Sequence, residues 1–223
     1  MNFIKTIFSK IAAKQLRKPG GILAGKVGNE MNKTNAFLYD LTVETMELRD
    51  KESILEIGFG NGKLFDKVFS AANDLKISGI DFSPEMVREA QKANPSTSKA
   101  GDLVLRLGSS DKIPFADHSF DKVFCINVIY FWEQPADHLK EIHRVLKPGG
   151  RFYTTIRNRD SLVKMPFTKY GFKIYAEDEW MHLLQENHLH FEETRRSVNE
   201  PDTVFDGKHY KAGSLCMVAE KAG

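Results

Sequence analysis

Short apolar runs along the chain alternate with segments in which apolar residues recur at helical spacing. The runs predict a first strand that begins at Ile54 and further strands at residues 76–81, 103–107, 122–127, 150–156, 190–196 and 214–220. Helical spacing predicts a crossover helix over residues 134–146 and another helix over residues 178–187. Because strands that alternate with helices form right-handed βαβ units, we predict an α/β fold with a seven-stranded, mostly parallel sheet and helices on both faces.

The first predicted strand runs into a glycine-rich turn and then into an amphipathic helix. Gly58, Gly60 and Gly62 alternate in this turn, and residues without Cβ let the backbone adopt φ > 0 and approach a ligand closely. The turn brings the free amides of a helix N-terminus above the strand, where they favour an anionic group. The pattern therefore predicts a nucleotide-binding turn.

The spacing and the charges around this turn discriminate between nucleotide ligands. The dinucleotide fingerprint is G-x-G-x-x-G with a diphosphate at the helix end, whereas the third glycine comes one residue early here. Glu56 stands at the end of the strand, where a carboxylate repels a diphosphate but can accept hydrogen bonds from an ammonium group. Asp81 ends the second strand, where an acid can bind both hydroxyls of a ribose. The early third glycine and Glu56 point away from NAD.

Four motifs follow one another in the middle of the chain. They are the glycine turn at residues 56–62, the acid of residues 79–81, the loop at residues 113–121 and the turn at residues 144–152 before the fifth strand. Together they resemble the class I S-adenosylmethionine-dependent methyltransferases, in particular the small-molecule branch with the ubiquinone and menaquinone biosynthesis enzymes. The resemblance implies an antiparallel pair at the end of the chain. The predicted fold is therefore α/β, a Rossmann-like, doubly wound, seven-stranded and mostly parallel sheet with an antiparallel last strand.

The resemblance also implies S-adenosylmethionine as the cofactor and assigns roles to single positions. The glycine turn would hold the methionine end of the cofactor and Asp81 its ribose, while Phe82 and Met86 would flank the adenine. Ser109 and Ser110 would contact the edge of the adenine, and Asn127 would face the reacting methyl group. The predicted cofactor-binding residues are Glu56, Gly58, Gly60, Asn61, Gly62, Asp81, Phe82, Met86, Ser109, Ser110, Asn127 and Val128.

Methyl transfer from a sulfonium makes few demands on side chains, since the methyl group is already activated and the gain comes mostly from positioning. A base is needed only where the acceptor must lose a proton first, and we therefore assign no catalytic residue. Aromatic residues that follow the fourth and fifth strands can line a pocket for an apolar acceptor or pack in the core. We select Tyr130, Trp132 and Tyr170 as candidate substrate-binding residues. The predicted function is methyl transfer to a small, hydrophobic acceptor at O, C or N.

Other functional classes remain open at this point. A noncatalytic protein that binds the cofactor as a sensor or as a structural element would share these motifs. An NAD-dependent oxidoreductase is disfavoured by the early third glycine and by Glu56, and transfer of the spermidine-synthase type would require an acidic amine site that we do not find. Residues 127–130 read Asn-Val-Ile-Tyr rather than Asn-Pro-Pro-Tyr, which disfavours DNA bases and protein glutamine as acceptors.

The first thirty residues differ in composition from the rest of the chain. Six basic residues and no acid precede Glu30, and residues 2–17 show the spacing of a basic amphipathic helix. This helix can pack on the domain or cover the cofactor site, contact a membrane surface, or serve in targeting. Residues 25–39 contain glycines that we expect to be mobile. In relatives the corresponding region forms part of a lid, for which Asn35 and Tyr39 are candidates. We therefore divide the chain into an N-terminal helix and lid, residues 1–45, and a cofactor-binding domain, residues 46–223.

Composition and charge indicate which other classes of protein the chain does not resemble. The 223 residues include 32 Lys and Arg against 30 Asp and Glu, so the chain lacks the strong basic character of a nucleic-acid-binding protein. No run approaches the ~18 apolar residues of a membrane span, and no signal pattern opens the chain, so we expect a cytoplasmic protein with a small-molecule substrate. Cys125 and Cys216 lie in apolar runs, and the seven histidines show no metal-ligand spacing, so we predict no metal. The oligomeric state is not indicated.

Overall fold

The computed structural model describes residues 2–20, 24–205 and 207–222. The side chains of residues 2–5, 24–27, 30 and 99 lie outside this description. The strands are β1 Ser53–Ile57, β2 Lys76–Asp81, β3 Leu103–Leu107, β4 Phe120–Ile126, β5 Leu146–Arg157, β6 Leu189–Arg196, β7 Thr203–Phe205, β8 Lys208–Tyr210 and β9 Ser214–Lys221. The helices are α1 Asn2–Arg17, α2 Ala24–Met46, α3 Phe65–Phe69, α4 Pro84–Ala93, α5 Pro95–Ala100, α6 Pro135–Val145, α7 Arg159–Leu162 and α8 Glu177–Glu186, with 3-10 helices at Ile129–Phe131 and Pro166–Lys169.

Seven of these strands form one sheet in the order β3-β2-β1-β4-β5-β9-β6. The pairs among β1 to β5 are parallel, and β9 runs antiparallel to both of its neighbours, β5 and β6. The predicted Rossmann-like sheet with an antiparallel last strand is thus confirmed. The strand order reverses between β1 and β4, which is where open α/β sheets bind ligands at the carboxyl ends of their strands.

The alternation of side chains along β1 explains how the sheet is buried on both faces. Leu55 and Ile57 pack in one core cluster with residues of α6 and α8, while Ile54 packs in a second cluster with Leu38 and Met46 of α2. Because side chains two residues apart share a face of a strand, Glu56 lies on the same face as Ile54. The helix α2 therefore covers Glu56, and this arrangement brings a carboxylate into the core beside the glycine turn.

The long helix α2 corrects one expectation from the sequence. Residues 25–39, which we expected to be mobile, lie inside a helix that continues to Met46. Gly28 is explained by close packing rather than by mobility, since a Cβ there would lie 3.0 Å from the side-chain nitrogen of Asn61. The helix predicted over residues 2–17 is present as α1, although the side chains of Phe3 and Ile4 fall outside the described residues. No described helix is long and apolar enough to cross a membrane.

Two short strands, β7 and β8, were not predicted from the sequence. They form a hairpin separate from the main sheet. Both cysteines are buried, Cys125 in β4 and Cys216 in β9. Within the described ranges no three His, Cys, Asp or Glu side chains form a group that could hold a metal ion.

Candidate functional site

A cavity of about 360 Å³ lies at the carboxyl ends of β1, β2 and β4, at the switch in strand order. We call it the polar cavity. Its walls include Glu56, Gly58, Gly60, Asn61, Asp81, Phe82, Met86, Ser109, Ser110, Asn127 and Val128. The structure thus brings together every predicted cofactor-binding residue except Gly62, which lies outside this cavity.

The three glycines of the turn all have positive φ, at +77° for Gly58, +60° for Gly60 and +67° for Gly62, but they serve different purposes. A Cβ on Gly58 would approach Val128 Cγ2 to 2.5 Å, and a Cβ on Gly62 would approach Ala90 Cβ to 2.7 Å. These two glycines allow the turn to pack against neighbouring elements. A Cβ on Gly60 would meet no atom within 4 Å, so Gly60 leaves open space where its backbone faces the cavity.

Asp81 connects the end of β2 to the glycine turn. One of its carboxylate oxygens accepts a hydrogen bond from the amide of Gly60 at 2.9 Å, and the other accepts one from the amide of Ser83 at 2.8 Å. Burial raises the pKa of Asp81 to about 6, although the two amides act in the opposite direction. Since a carboxylate has about four acceptor sites, Asp81 can still bind the hydroxyl groups of a ligand.

Glu56 is the most unusual polar residue of the cavity. Its side chain is buried, and one oxygen accepts a hydrogen bond from the hydroxyl of Tyr39. The other oxygen, Oε2, has no hydrogen-bond partner in the part of the chain that is described. Burial raises the pKa of Glu56 to about 8. A buried acceptor without a partner is unfavourable by about 1 to 3 kcal/mol, so the site is suited to a ligand group that donates to Glu56, and a cation would do so best.

One face of α2 covers the glycine turn with amide side chains. The side-chain nitrogen of Asn32 donates to Asn61 Oδ1 at 2.9 Å, and Lys63 Nζ donates to Asn29 Oδ1 at 2.9 Å. Asn29 and Asn32 were not assigned roles from the sequence. The recurrence of polar residues at positions 29, 32, 35 and 39 could have identified them if the segment had been recognised as a helix, since residues three and four apart share a face.

At the far end of the polar cavity, His138 stands where only serines were expected from the sequence. Its Nδ1 lies 2.7 Å from Ser110 Oγ, and its ring stacks on Trp132 with 4.5 Å between the ring centroids. Phe82 is 39% exposed and Met86 is buried. Trp132, which we selected as a candidate substrate-binding residue, lies in the wall of the polar cavity beside His138 and not in that of the second cavity, described next.

A second cavity, of about 460 Å³, adjoins the first. We call it the apolar cavity, because most of its lining is aliphatic or aromatic, with Leu16, Met31, Phe131, Leu162, Met165, Phe167, Phe172, Val204 and Phe205 among its walls. No His, Asp or Glu of the described residues lines it. Leu16, Met31, Asn35, Asn127 and Phe131 line both cavities, so the two spaces meet at a shared wall.

Two asparagines and a tyrosine form a chain of hydrogen bonds at this junction. Asn127, with a positive φ of 58°, donates from its side-chain nitrogen to Asn35 Oδ1 at 3.1 Å. The hydroxyl of Tyr130 lies 3.1 Å from Asn127 Oδ1 and accepts a hydrogen bond from the amide of Arg157 at 2.8 Å. Burial raises the pKa of Tyr130, so this hydroxyl stays protonated and acts as a fixed polar group in the wall of the apolar cavity.

Tyr170, which we selected as a candidate substrate-binding residue, is not in the described lining of either cavity. The chain leaves the 3-10 helix Pro166–Lys169 at Tyr170 in an extended conformation, and the Tyr170 ring lies 5.6 Å from Lys10 Nζ of α1. Phe167 and Phe172 line the apolar cavity instead. Sequence proximity to a strand end identified a loop that lines this cavity, but it did not identify which side chains of the loop turn inward.

Arg157 is the one basic residue in the described lining of the apolar cavity. Its guanidinium forms a buried ion pair with Glu200 and donates to the backbone oxygen of Thr34 at 3.1 Å. Because Glu200 neutralises this charge, the cavity is not a strong anion-binding site. The hydrogen bond from Arg157 to Thr34 instead links α2 to the end of β5.

The chain was compared with known proteins. Residues 55–154 match the family model described as a methyltransferase domain. A protein named as the methyltransferase YrhH of Bacillus subtilis is 32% identical over 116 residues, which are 52% of this chain and 63% of that protein. The ubiquinone/menaquinone biosynthesis C-methyltransferase UbiE of Geotalea daltonii is 36% identical over 99 residues, which are 44% and 42% of the two chains. This chain therefore spans less than two thirds of the length of each of these relatives.

The fold is also similar to that of solved structures. A methyltransferase from a complex with the methyltransferase activator of Haloferax volcanii superposes with a TM-score of 0.78 at 21% identity, over 90% of this chain and 96% of that chain. At this level of identity the similarity concerns the fold.

Proposed function

We propose that this protein transfers the methyl group of S-adenosylmethionine to a small, hydrophobic acceptor, since residues 55–154 match a methyltransferase domain and similar proteins include the C-methyltransferase UbiE. The observation that carries the proposal is the wall that the polar and apolar cavities share at Asn35 and Asn127. A nucleotide in the first cavity and an apolar molecule in the second would meet at this wall, which suits group transfer between them.

The residues of the polar cavity fit the cofactor. The unpartnered Oε2 of Glu56 would accept a hydrogen bond from the ammonium group of the methionine moiety. The open space beside Gly60 would let the backbone of the glycine turn approach this moiety. Asp81 would bind the ribose. Phe82 and Met86 would contact the adenine, with His138 close to its polar edge. The contacts of Asp81, Phe82 and Met86 are those that the family resemblance implies.

When bound, S-adenosylmethionine supplies a methyl group that is already activated by its sulfonium. The chain then has to position the acceptor, exclude water and supply any base. The apolar cavity excludes water with its aliphatic and aromatic walls, and the bonded side chains of Asn35 and Asn127 fix the shape of the junction. Since no His, Asp or Glu lines the apolar cavity within the described residues, we infer that the acceptor atom arrives as a nucleophile, as in an amine, a thiolate, an ionised phenol or a stabilised carbanion.

Cofactor affinity is expected to rise with pH, and Glu56→Gln is expected to remove most of this rise. Since burial raises the pKa of Glu56 to about 8, the free protein holds a proton there at pH 6, and an ammonium ligand must displace it. Affinity for S-adenosylhomocysteine, which carries the same amino group, should therefore increase up to about tenfold per pH unit between roughly pH 6 and 7.5. The Asp81 carboxyl, with a pKa of about 6, adds a rise only at the acid end of this range.

Calorimetric titration at several pH values tests this prediction. At pH 7.5 Glu56→Gln should weaken binding by about tenfold or more, because a charge-assisted hydrogen bond is lost. The matched control is Glu133→Gln, since Glu133 also lines the polar cavity but its side chain is 81% exposed. An unchanged pH dependence in Glu56→Gln would contradict the role of Glu56.

Methyl transfer itself is tested with labelled S-adenosylmethionine and a panel of apolar phenols, quinols, thiols and amines. We expect transfer to at least one of these classes of acceptor. The variant Val204→Trp should raise the KM for that acceptor at least tenfold, while the Kd for the cofactor stays unchanged. Val204 lines the apolar cavity but not the polar one, and Val198→Trp is the control because Val198 is 75% exposed and lines neither cavity. Cofactor binding without transfer to any acceptor would favour the noncatalytic alternative.

A further inference from the structure

The helix α1 exposes three large apolar side chains to solvent and buries two small side chains against the protein. Ile7, Phe8 and Ile11 are 41%, 67% and 49% exposed, whereas Ser9 and Ala13 on the opposite side are 6% and 4% exposed. A helix whose apolar residues serve only to pack on the domain shows the reverse distribution. Packing within the chain therefore does not account for these three apolar side chains.

The exposed side of α1 also carries positive charge. Lys10 and Lys14 are exposed and follow Ile7 and Ile11 at a spacing of three residues, so they share the same surface. No acidic residue occurs in α1. We call Ile7, Phe8, Lys10, Ile11 and Lys14 the outward face of α1. Apolar side chains with lysines beside them match the chemistry of an anionic lipid surface, which offers acyl chains and phosphate groups at neighbouring depths.

The same helix also forms a wall of the apolar cavity through Ala12, Gln15 and Leu16. On another wall, Val204 lines the cavity and is 56% exposed, so the cavity reaches the surface next to an apolar residue. A single helix therefore borders the apolar cavity and also exposes apolar and basic side chains to solvent.

We propose that the outward face of α1 docks the protein on an anionic lipid bilayer and that the acceptor is an apolar molecule dissolved in that bilayer. This inference rests on the proposed function, since it names the source of the acceptor for the apolar cavity. Ile7, Phe8 and Ile11 enter the interface between headgroups and acyl chains, and Lys10 and Lys14 contact lipid phosphates. The outward face gives affinity for the bilayer, and the cavity behind α1 receives the acceptor.

The test is sedimentation of the full chain with vesicles of phosphatidylcholine alone and of phosphatidylcholine with about one third phosphatidylglycerol. We expect binding to the anionic vesicles and at least tenfold weaker binding to the neutral ones. Lys10→Gln with Lys14→Gln should weaken binding by roughly 25-fold, at about fivefold for each lysine near an anionic surface. The triple variant Ile7→Gln, Phe8→Gln, Ile11→Gln should lose binding by about 30-fold or more. Val198→Gln, which also removes an exposed valine, should bind like the parent chain.

Titration with S-adenosylhomocysteine in parallel keeps the two proposals separate. A chain that binds the cofactor product but does not bind anionic vesicles, or that binds neutral vesicles equally well, overturns the docking proposal and leaves the proposed function. A chain that binds vesicles but not the cofactor product overturns the proposed function. If sedimentation velocity shows that the parent chain is an oligomer and the triple variant a monomer, the outward face contacts a second copy of the chain, and the docking proposal is overturned.

Discussion

Replacement of Gly60 by valine is expected to weaken the binding of S-adenosylmethionine at least 100-fold, which corresponds to about 2.7 kcal/mol. Gly60 has a φ of +60° and open space where a Cβ would stand, and its amide is held by Asp81. A branched side chain would fill the space beside the turn and would strain the backbone, since a left-handed conformation costs about 1 to 2 kcal/mol for a residue with a Cβ.

Gly101→Val separates the two effects of this substitution. Gly101 has a φ of +79°, and a Cβ there would likewise meet no atom within 4 Å, but Gly101 ends α5 and lines neither cavity. We expect both variants to lose similar stability in thermal unfolding and only Gly60→Val to lose cofactor binding in calorimetry. Equal cofactor affinity in the two variants would mean that the cofactor does not approach the glycine turn at Gly60.

Asp81→Ala is expected to reduce cofactor affinity by roughly 100-fold or more. The substitution removes the ligand's ribose contacts, which are charge-assisted hydrogen bonds worth about 1.5 to 3 kcal/mol each. It also removes the acceptors for the amides of Gly60 and Ser83, so the glycine turn loses the hydrogen bond that joins Gly60 to the end of β2. A reduced affinity alone would not distinguish these two causes.

A thermodynamic cycle that combines Asp81→Ala with a modified ligand distinguishes the loss of ribose contacts from the loss of support for the turn. In the parent chain, S-adenosylhomocysteine should bind much more tightly than its analogue without the 2′ and 3′ hydroxyls. In Asp81→Ala this difference should nearly vanish, because the partner of the hydroxyls is gone. If the variant still prefers the hydroxylated ligand by the same factor, Asp81 acts only by holding the turn, and another residue binds the ribose.

The local pattern was sufficient to predict the strands that consist of a short apolar run followed by turn residues. The strands β2 and β3 have the predicted bounds, residues 76–81 and 103–107, because each apolar run is short and is followed by turn residues. The strand β5 begins at Leu146 rather than at residue 150, since its pairing with Phe120 of β4 extends it through a Lys-Pro-Gly-Gly segment. Composition alone marks that segment as a turn.

The parts of the site that depend on long-range contacts could not be predicted in this way. Gly25 and Gly28 suggested mobility, yet α2 is held by the contact of Asn32 with Asn61 and of Arg157 with Thr34. The hairpin of β7 and β8 is short and gives little pattern, although β7 supplies part of the apolar cavity. The direction of loop side chains such as Tyr170 depends on which neighbours they meet, and a single sequence does not contain that information.

The position of α2 has a consequence for how the two ligands affect one another. Met31 and Asn35 of this one helix border both cavities, and Tyr39 of the same helix binds Glu56. A molecule that shifts α2 from one cavity changes the shape of the other, so cofactor and acceptor binding are expected to be cooperative. By thermodynamic reciprocity each ligand must then change the affinity of the other by the same factor. The affinity for the acceptor measured without the cofactor is therefore expected to differ from the affinity of the cofactor-bound protein, which is the form that would carry out the reaction.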